Sequence, residues 1–369
     1  MISAAAPPPE APQFMPRATH DIRDIEVIVP NLKLKHTGVT STIAALLPVQ
    51  ARRLKIAAVG FGLPAEWPQI GWGNFFLHGW KCPRHRPFRI WHARRNNEML
   101  ACLLLRSVLR MPLKLVFTSA GLRNHTWLTR SLLRRMDSVV ATSPEAASRL
   151  RVPAKIILHG VDVRLYHPLA DREKEWLATG LPGRYGIGVF GRVRRQKGTD
   201  LFVEAMCRLL PRYPDFSAVI VGAVTPDQKI FSGKLKSKVA AAGLSERIRF
   251  LGELPPPEVR LWMRHMTIVV GPQRWEGFGL VPIEAMAGGA AVVATRAGAA
   301  HHLVAEGRTG HLVPTDNLEA LVEKIETVMK DPALAAEMGR RGRDHVIEKF
   351  TVEREADQIQ SVYESCWNM

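Results

Sequence analysis

Gly271-Pro-Gln-Arg-Trp-Glu276-Gly-Phe-Gly-Leu-Val-Pro-Ile-Glu284-Ala-Met-Ala-Gly-Gly289 is the stretch on which the reading of this chain turns. The apolar, β-branched run at 267–271 before it has the content of a buried strand, and Pro282 stands where a proline opens a helix. Between them lies a turn built on Gly277 and Gly279. Glycine lets backbone come close to a ligand, and the free N–H groups of a helix start attract an anion. Glu276 and Glu284 bracket the turn with seven residues between them. Carboxylates accept hydrogen bonds from hydroxyls, and an acid holding a ribose diol is a regular part of Rossmann sites. Acids also suit a helix N-terminus on electrostatic grounds, so either glutamate alone decides nothing.

A second stretch, Gly188-Val-Phe-Gly191-Arg192-Val-Arg-Arg-Gln-Lys197-Gly198, follows a strand and precedes the helical pattern at 200–210. Arg192 and Lys197 emerge where a phosphate sits in such sheets, at a strand's carboxyl end and a helix N-terminus. Arginine brings a flat fork of donors and lysine a mobile point charge, a fitting pair for a diphosphate. The spacing of a Walker loop is absent, and neither half carries G-x-G-x-x-G after its first strand, which argues against a dehydrogenase.

Outward from these loops, short β-branched runs alternate with helical patterns. Strands are expected at 25–29, 56–60, 88–92, 113–118, 138–142 and 155–158, and again at 186–190, 218–222, 247–251, 267–271, 290–294 and 311–313. Continuously apolar strands separated by helices indicate parallel sheets covered on both faces. The sequence therefore predicts an α/β protein of two doubly wound, Rossmann-like domains facing across a cleft. The expected division is a Pro- and Ala-rich disordered leader at 1–20, a first domain at 21–172, a second at 173–350 and a returning helix at 351–369.

The 369 residues allow two cores, and 46% are apolar. No stretch approaches the roughly 18 apolar residues that span a bilayer. The four cysteines lie far apart, which argues against a disulfide framework and points to a reducing, cytoplasmic setting. Net charge is +17 and uneven: residues 1–175 hold 26 Lys/Arg against 12 Asp/Glu, and the rest 25 against 22. A basic first half facing a near-neutral second half implies an anionic partner for the first.

Taken together, the two loops resemble the retaining GT-B glycosyltransferases of family four. Glu276 and Glu284 match that family's E-x7-E signature, and Arg192 with Lys197 its Arg–Lys pair. Weaker marks agree: Gly160-Val161-Asp162 with Tyr166-His-Pro168, the GRTGHLV turn at 307–313, and Gly38-Val39-Thr40 after the first strand. The resemblance implies a GT-B fold and a nucleotide-sugar donor, with no cofactor and no metal. It places the ribose on Glu284 and the transferred sugar on Glu276 with the N–H groups of Gly277, Phe278 and Gly279. Leu280 joins the donor-binding set, Arg192 and Lys197 meet the diphosphate, and Gly38 and Gly191 give its oxygens close approach.

The chain also departs from the pattern. The family's pocket histidine falls in a segment that here reads Thr118-Ser119-Ala120-Gly121, so His125 or His92 is expected to substitute, near Arg94, Arg95 and Arg123. Positions 299–302 lie where the family often has G-x-x-E but read Ala-Ala-His-His.

Finer similarity lies in LKLKHTGVTST at 32–42, WHARRNNEM at 91–99 and residues 116–121, which look like alpha-proteobacterial lipopolysaccharide-core mannosyltransferases. That similarity implies GDP-mannose as donor and a Kdo sugar of the inner core as acceptor. The basic stretch Lys81, Arg84, Arg86, Arg89 beside Trp67, Trp72, Phe75, Phe76 and Trp80 suits such an anionic glycolipid. The helical pattern Trp127-Leu-Thr-Arg130-Ser-Leu-Leu-Arg134-Arg135 suits the inner leaflet of the inner membrane. A rival reading keeps the family but takes a UDP-sugar (glucose, galactose or N-acetylglucosamine). A remoter one is a basic nucleic-acid binder, against which stands the lack of any recognition motif, so no nucleic-acid partner is expected.

Overall fold

The structure, a computed structural model, describes residues 21–33, 38–64, 67–122 and 124–368. The leader expected at 1–20, part of the 32–42 stretch and Arg123 lie outside them. Among the described residues twelve strands form two parallel six-stranded sheets.

The first sheet holds β1 (Val27–Asn31), β2 (Ile56–Gly60), β3 (Arg89–Ala93), β4 (Leu113–Ser119), β5 (Ser138–Ala141) and β6 (Lys155–Ile156), in the order β2-β1-β3-β4-β5-β6. The second holds β7 (Tyr185–Phe190), β8 (Phe216–Val221), β9 (Ile248–Gly252), β10 (Met266–Gly271), β11 (Ala291–Thr295) and β12 (Gly310–Val313), in the order β12-β11-β10-β7-β8-β9. All twelve expected strands form, with ends displaced by two residues at most.

Burial follows from the period-two alternation of strands. In β10 every residue is buried. Ile268 and Val270 join one apolar cluster with Ile187, Phe202 and Leu321, while Val269 between them joins another with Phe190, Ile283 and Met286; Met266 lies with that second cluster because the register shifts between it and Ile268. One sheet thus has two dry faces, the condition for a parallel sheet without an exposed edge row in its middle.

By compactness the described chain divides into two units. The first runs to Thr118 and adds Thr126–Val139 and the residues from Gln360 onward; the second comprises Ser119–His125 and Val140–Ile359. The domain boundary expected between 172 and 173 falls at the start of the helix Arg172–Leu177. Its Trp176 is fully buried, with its ring lying where a Cβ on Gly186 of β7 would be. That contact explains the glycine: the strand passes flush against an indole. The last helix runs over Val352–Trp367, inside the stretch 351–369 where one was expected.

Candidate active site

Second-sheet topology fixes where a ligand belongs. From β7 the chain moves outward through β8 and β9; from β10 it moves the other way through β11 and β12. β7 and β10 are therefore neighbours at a topological switch point, where a crevice opens at the carboxyl ends of the strands. The loops leaving those two ends are 191–198 and 272–280, the two stretches singled out in the sequence.

Their backbones pack against each other. Gly198 has φ of 70°, and a Cβ there would sit 1.9 Å from the Pro272 carbonyl oxygen, so only glycine fits. Arg274 N–H donates to the Gln196 carbonyl at 3.0 Å, and Gln196 Nε2 donates to the Trp275 carbonyl at 3.2 Å. The Arg274 guanidinium reaches the Arg195 carbonyl (2.6 Å), both carboxylate oxygens of Asp200 (2.7 and 2.9 Å) and Asp316 (2.7 Å). This bidentate clamp ties the second loop to the first turn of the helix Thr199–Leu209.

Within the clamped pair, Lys197 Nζ ion-pairs with Glu276 Oε2, and both side chains are about one-fifth exposed. Glu276 Oε1 accepts the Gly277 N–H at 3.0 Å. Gly279, with φ of 91°, turns the chain so that Phe278 points inward while its carbonyl accepts the Ala299 N–H at 2.8 Å. The buried Phe278 ring meets His159 edge-on, 4.8 Å between centroids. His159 is held in turn by Glu355, 2.7 Å from its Nδ1, and the other Glu355 oxygen accepts the Gly160 N–H at 2.8 Å. Gly191 and Arg192, at the mouth of the first loop, are exposed.

Glu284 lies in the first turn of the helix Val281–Ala287, which follows directly on Leu280. Tyr166 donates its hydroxyl to Glu284 Oε1 at 3.0 Å. Burial pushes the Glu284 carboxyl above its ordinary range, while the Tyr166 hydrogen bond and the charge of Arg260 oppose that shift. Burial and the neighbouring carboxylate push the Tyr166 phenol well above its usual value, so it stays a donor.

The first unit treats its candidates differently. His92 is fully buried, its Nδ1 2.6 Å from the Tyr363 hydroxyl and its Nε2 2.7 Å from Thr118 Oγ1. Both ring nitrogens are thereby occupied by protein, which leaves none for a sugar and corrects the expectation for this residue. Burial also holds it well below the ordinary histidine range, that is, neutral. Arg95 is likewise internal: it donates to Asn31 at the end of β1 (2.9 Å), to Glu98 (2.6 Å) and to Thr40 (3.2 Å). It thus spans the first sheet's own switch point, between β1 and β3, and fixes the helix Gly38–Gln50 that Gly38 opens. Arg94 is half-buried, with its N–H donating to Glu98 at 2.7 Å; His125, which belongs to the second unit, is half-buried as well.

The basic stretch is also less free than its sequence suggests. Arg89 is fully buried and donates to the carbonyls of Ile25, Gly79, Lys81 and Ile22. Arg86 pairs with Glu26 and Glu364 and lies 3.8 Å over the Trp367 ring, while Arg84 pairs with Asp24.

Comparison with known proteins agrees with this geometry. Residues 178–345, which contain the clamped loops, match the family described as glycosyl transferases group 1. The lipopolysaccharide core biosynthesis mannosyltransferase LpcC of Rhizobium leguminosarum is 51% identical over 346 residues, 94% of this chain and 97% of the relative. This chain belongs to the group 1 glycosyltransferases. LpsB of Rhizobium meliloti, also named a lipopolysaccharide core biosynthesis mannosyltransferase, is 48% identical over 94% of this chain and 99% of its own. HepE of Anabaena, solved with UDP, shares the fold with a TM-score of 0.77 at 19% identity, covering 92% of this chain and 100% of that one. The fold of this glycosyltransferase is thus GT-B.

Three features of the glycosyltransferase site escape sequence reasoning: the Arg274 clamp, the Tyr166 hydroxyl on Glu284, and the Glu355–His159 support under Phe278. Each joins residues 42 to 196 positions apart. The one sequence signal was Arg274 itself, a cation inside the Gly-rich stretch.

Proposed function

We propose that this enzyme transfers mannose from GDP-mannose, with retention at the anomeric carbon, to a Kdo sugar of the lipopolysaccharide inner core. The reading of the reaction centre rests on one observation above all: Lys197 and Glu276, from two different loops, meet at the switch point of the second sheet. For mannose and the lipopolysaccharide core, support comes from two relatives of about half-identical sequence that carry those words in their names.

In this reading Glu284, already turned by Tyr166, accepts from the ribose hydroxyls. Glu276 and the N–H groups of Gly277, Phe278 and Gly279 hold the mannose. Arg192 and Lys197 meet the diphosphate as negative charge builds on it, so positioning and fixed charge carry the catalysis without a metal. The departing diphosphate takes the acceptor's proton, and no protein base is required of His92.

Inner-membrane association is part of the same proposal. The helices Asn96–Ser107 and Trp127–Leu133 leave Leu100, Leu104, Trp127 and Leu128 exposed, with Val108 and Leu109 beyond the first. Arg110, Arg134 and Arg135 are exposed near them in sequence. Apolar side chains with adjacent arginines suit the headgroup region of an anionic leaflet. Among the described residues no helix is long and apolar enough to cross a membrane.

The test is a donor screen: purified enzyme, a Kdo–lipid A acceptor, and GDP-mannose beside UDP-glucose, UDP-galactose and UDP-N-acetylglucosamine. An α-linked mannosyl product supports the proposal. Turnover of a UDP-sugar with GDP-mannose inert overturns the donor, and a β-linked product overturns retention.

A further inference from the structure

Away from the donor carboxylates, one cluster of ligating side chains is assembled from distant parts of the second unit. Glu145 lies in the helix Pro144–Ser148; His301 and His302 lie in the helix Ala300–Leu303. His301 Nε2 is 3.0 Å and His302 Nε2 2.8 Å from the same Glu145 oxygen, Oε1. The two imidazoles stand 4.0 Å apart between centroids. One ligating atom from each of the three residues falls within 4.8 Å of the others.

An ordinary surface ion pair needs one histidine. Here two consecutive imidazoles converge on one oxygen, while the second carboxylate oxygen, Oε2, is shielded from solvent. The three side chains are about one-third exposed (29–37%), which leaves a side open to water.

Two imidazole nitrogens and one carboxylate are the donor set of borderline-soft transition dications, whereas magnesium and calcium favour oxygen alone. We propose that Glu145, His301 and His302 form a binding site for a zinc-class dication, with water completing the coordination.

The site's place in the fold gives it a consequence. His301 and His302 follow Gly298 and Ala299, and Ala299 N–H donates to the Phe278 carbonyl in the donor loop. A Cβ on Gly298 would sit 2.5 Å from that same carbonyl oxygen and 3.1 Å from Glu276 Cβ. The turn that carries the histidines is therefore packed on the loop that carries Glu276. A metal joining it to Glu145 holds that loop in place; it is a positioning device, separate from the groups that meet the diphosphate.

The test uses full-length protein stripped with a chelator and titrated with Zn²⁺ against a chromophoric competitor. One Zn²⁺ per chain is expected. His302→Asn and Glu145→Gln should each weaken binding by more than about tenfold, the scale reached even by outer-shell partners. Cys82→Ser, which removes the exposed thiol, should leave binding unchanged. Co²⁺ should give visible d–d bands without a thiolate charge-transfer band. Zn²⁺ should also raise the melting temperature of the wild type but not of the two variants, with circular dichroism reporting whether each is folded. If one variant fails to fold, His301→Gln takes its place. Absence of a stoichiometric site, binding that survives these variants, or binding lost in Cys82→Ser would each overturn the proposal.

Discussion

Lys197 and Glu276, 79 residues apart in the chain, close an ion pair between the loops that leave β7 and β10. In isolation a partly exposed pair of this kind adds little stability. Its value is positional, because it puts a cation and the carboxylate proposed to hold the sugar in one place. Glu276→Ala should lower kcat by about a hundredfold, on the scale of removing one fixed charge or donor at a reaction centre, with nucleotide affinity changed far less. Steady-state kinetics beside calorimetric titration of GDP separates the two effects. Equal losses in both would assign Glu276 to nucleotide binding instead.

Glu284 should behave oppositely. Its alanine variant is expected to weaken nucleotide binding first. The carboxyl is pushed up by burial, so protonation sets in above the ordinary glutamate value as pH falls. Nucleotide affinity should then decline on mild acidification and recover on return to neutral pH. Glu284→Gln should flatten that profile, and Tyr166→Phe, which removes an opposing hydrogen bond, should shift its midpoint upward.

Arg274 joins the loops and touches no expected substrate group. Arg274→Ala leaves Asp200 without its bidentate partner and opens the Arg195 carbonyl, so a loss of about 1–3 kcal/mol is expected. Urea denaturation measures it. kcat/KM should fall as well, since the two loops proposed to hold the donor lose their common tie, and Arg274→Lys should restore only part of either.

His92 supplies a stability signature. Its folded pKa lies well below 6.5, so between those values the unfolded chain binds the extra proton. Stability is therefore full above pH 6.5 and declines as pH falls below it. Denaturation curves from pH 8 to pH 5 should show that slope in the wild type and lose part of it in His92→Asn. A change in sugar selectivity without a stability change would contradict the internal role.

Trp127 is 80% exposed at the first turn of its helix, beside the exposed Leu128. The double variant Trp127→Ser, Leu128→Ser should weaken co-sedimentation with anionic vesicles at least severalfold while leaving hydrolysis of donor in solution unchanged. Salt should weaken wild-type binding too, because the neighbouring arginines act through a screened field. Unaltered vesicle binding in the variant would move the membrane contact elsewhere.

Much of this was legible in order along the chain. Twelve runs became twelve strands among the described residues; a central strand such as β10 is buried on both faces and so is apolar throughout, whereas the edge strand β6 is exposed. The glycines and glutamates of 271–289 announced a ligand loop because turn geometry and helix-start chemistry are local. The same reasoning misled where partners are remote. Arg89 reads as surface charge but is fully buried, since four carbonyls that fold around it are invisible in the sequence. His92 reads as a strand-end ligand but is filled by Thr118 and by Tyr363, 271 positions away.

The sequence by itself determined the two-sheet α/β class, the two loops at strand ends and the residue types those loops carry. Only the tertiary structure decided which cation pairs with Glu276, which hydroxyl orients Glu284, and that His301 and His302 close on Glu145. The physical reason is one of range. Strand formation and turn chemistry are fixed within about ten residues, whereas a side chain's partner is set by which distant segments the closed sheets bring within hydrogen-bond reach.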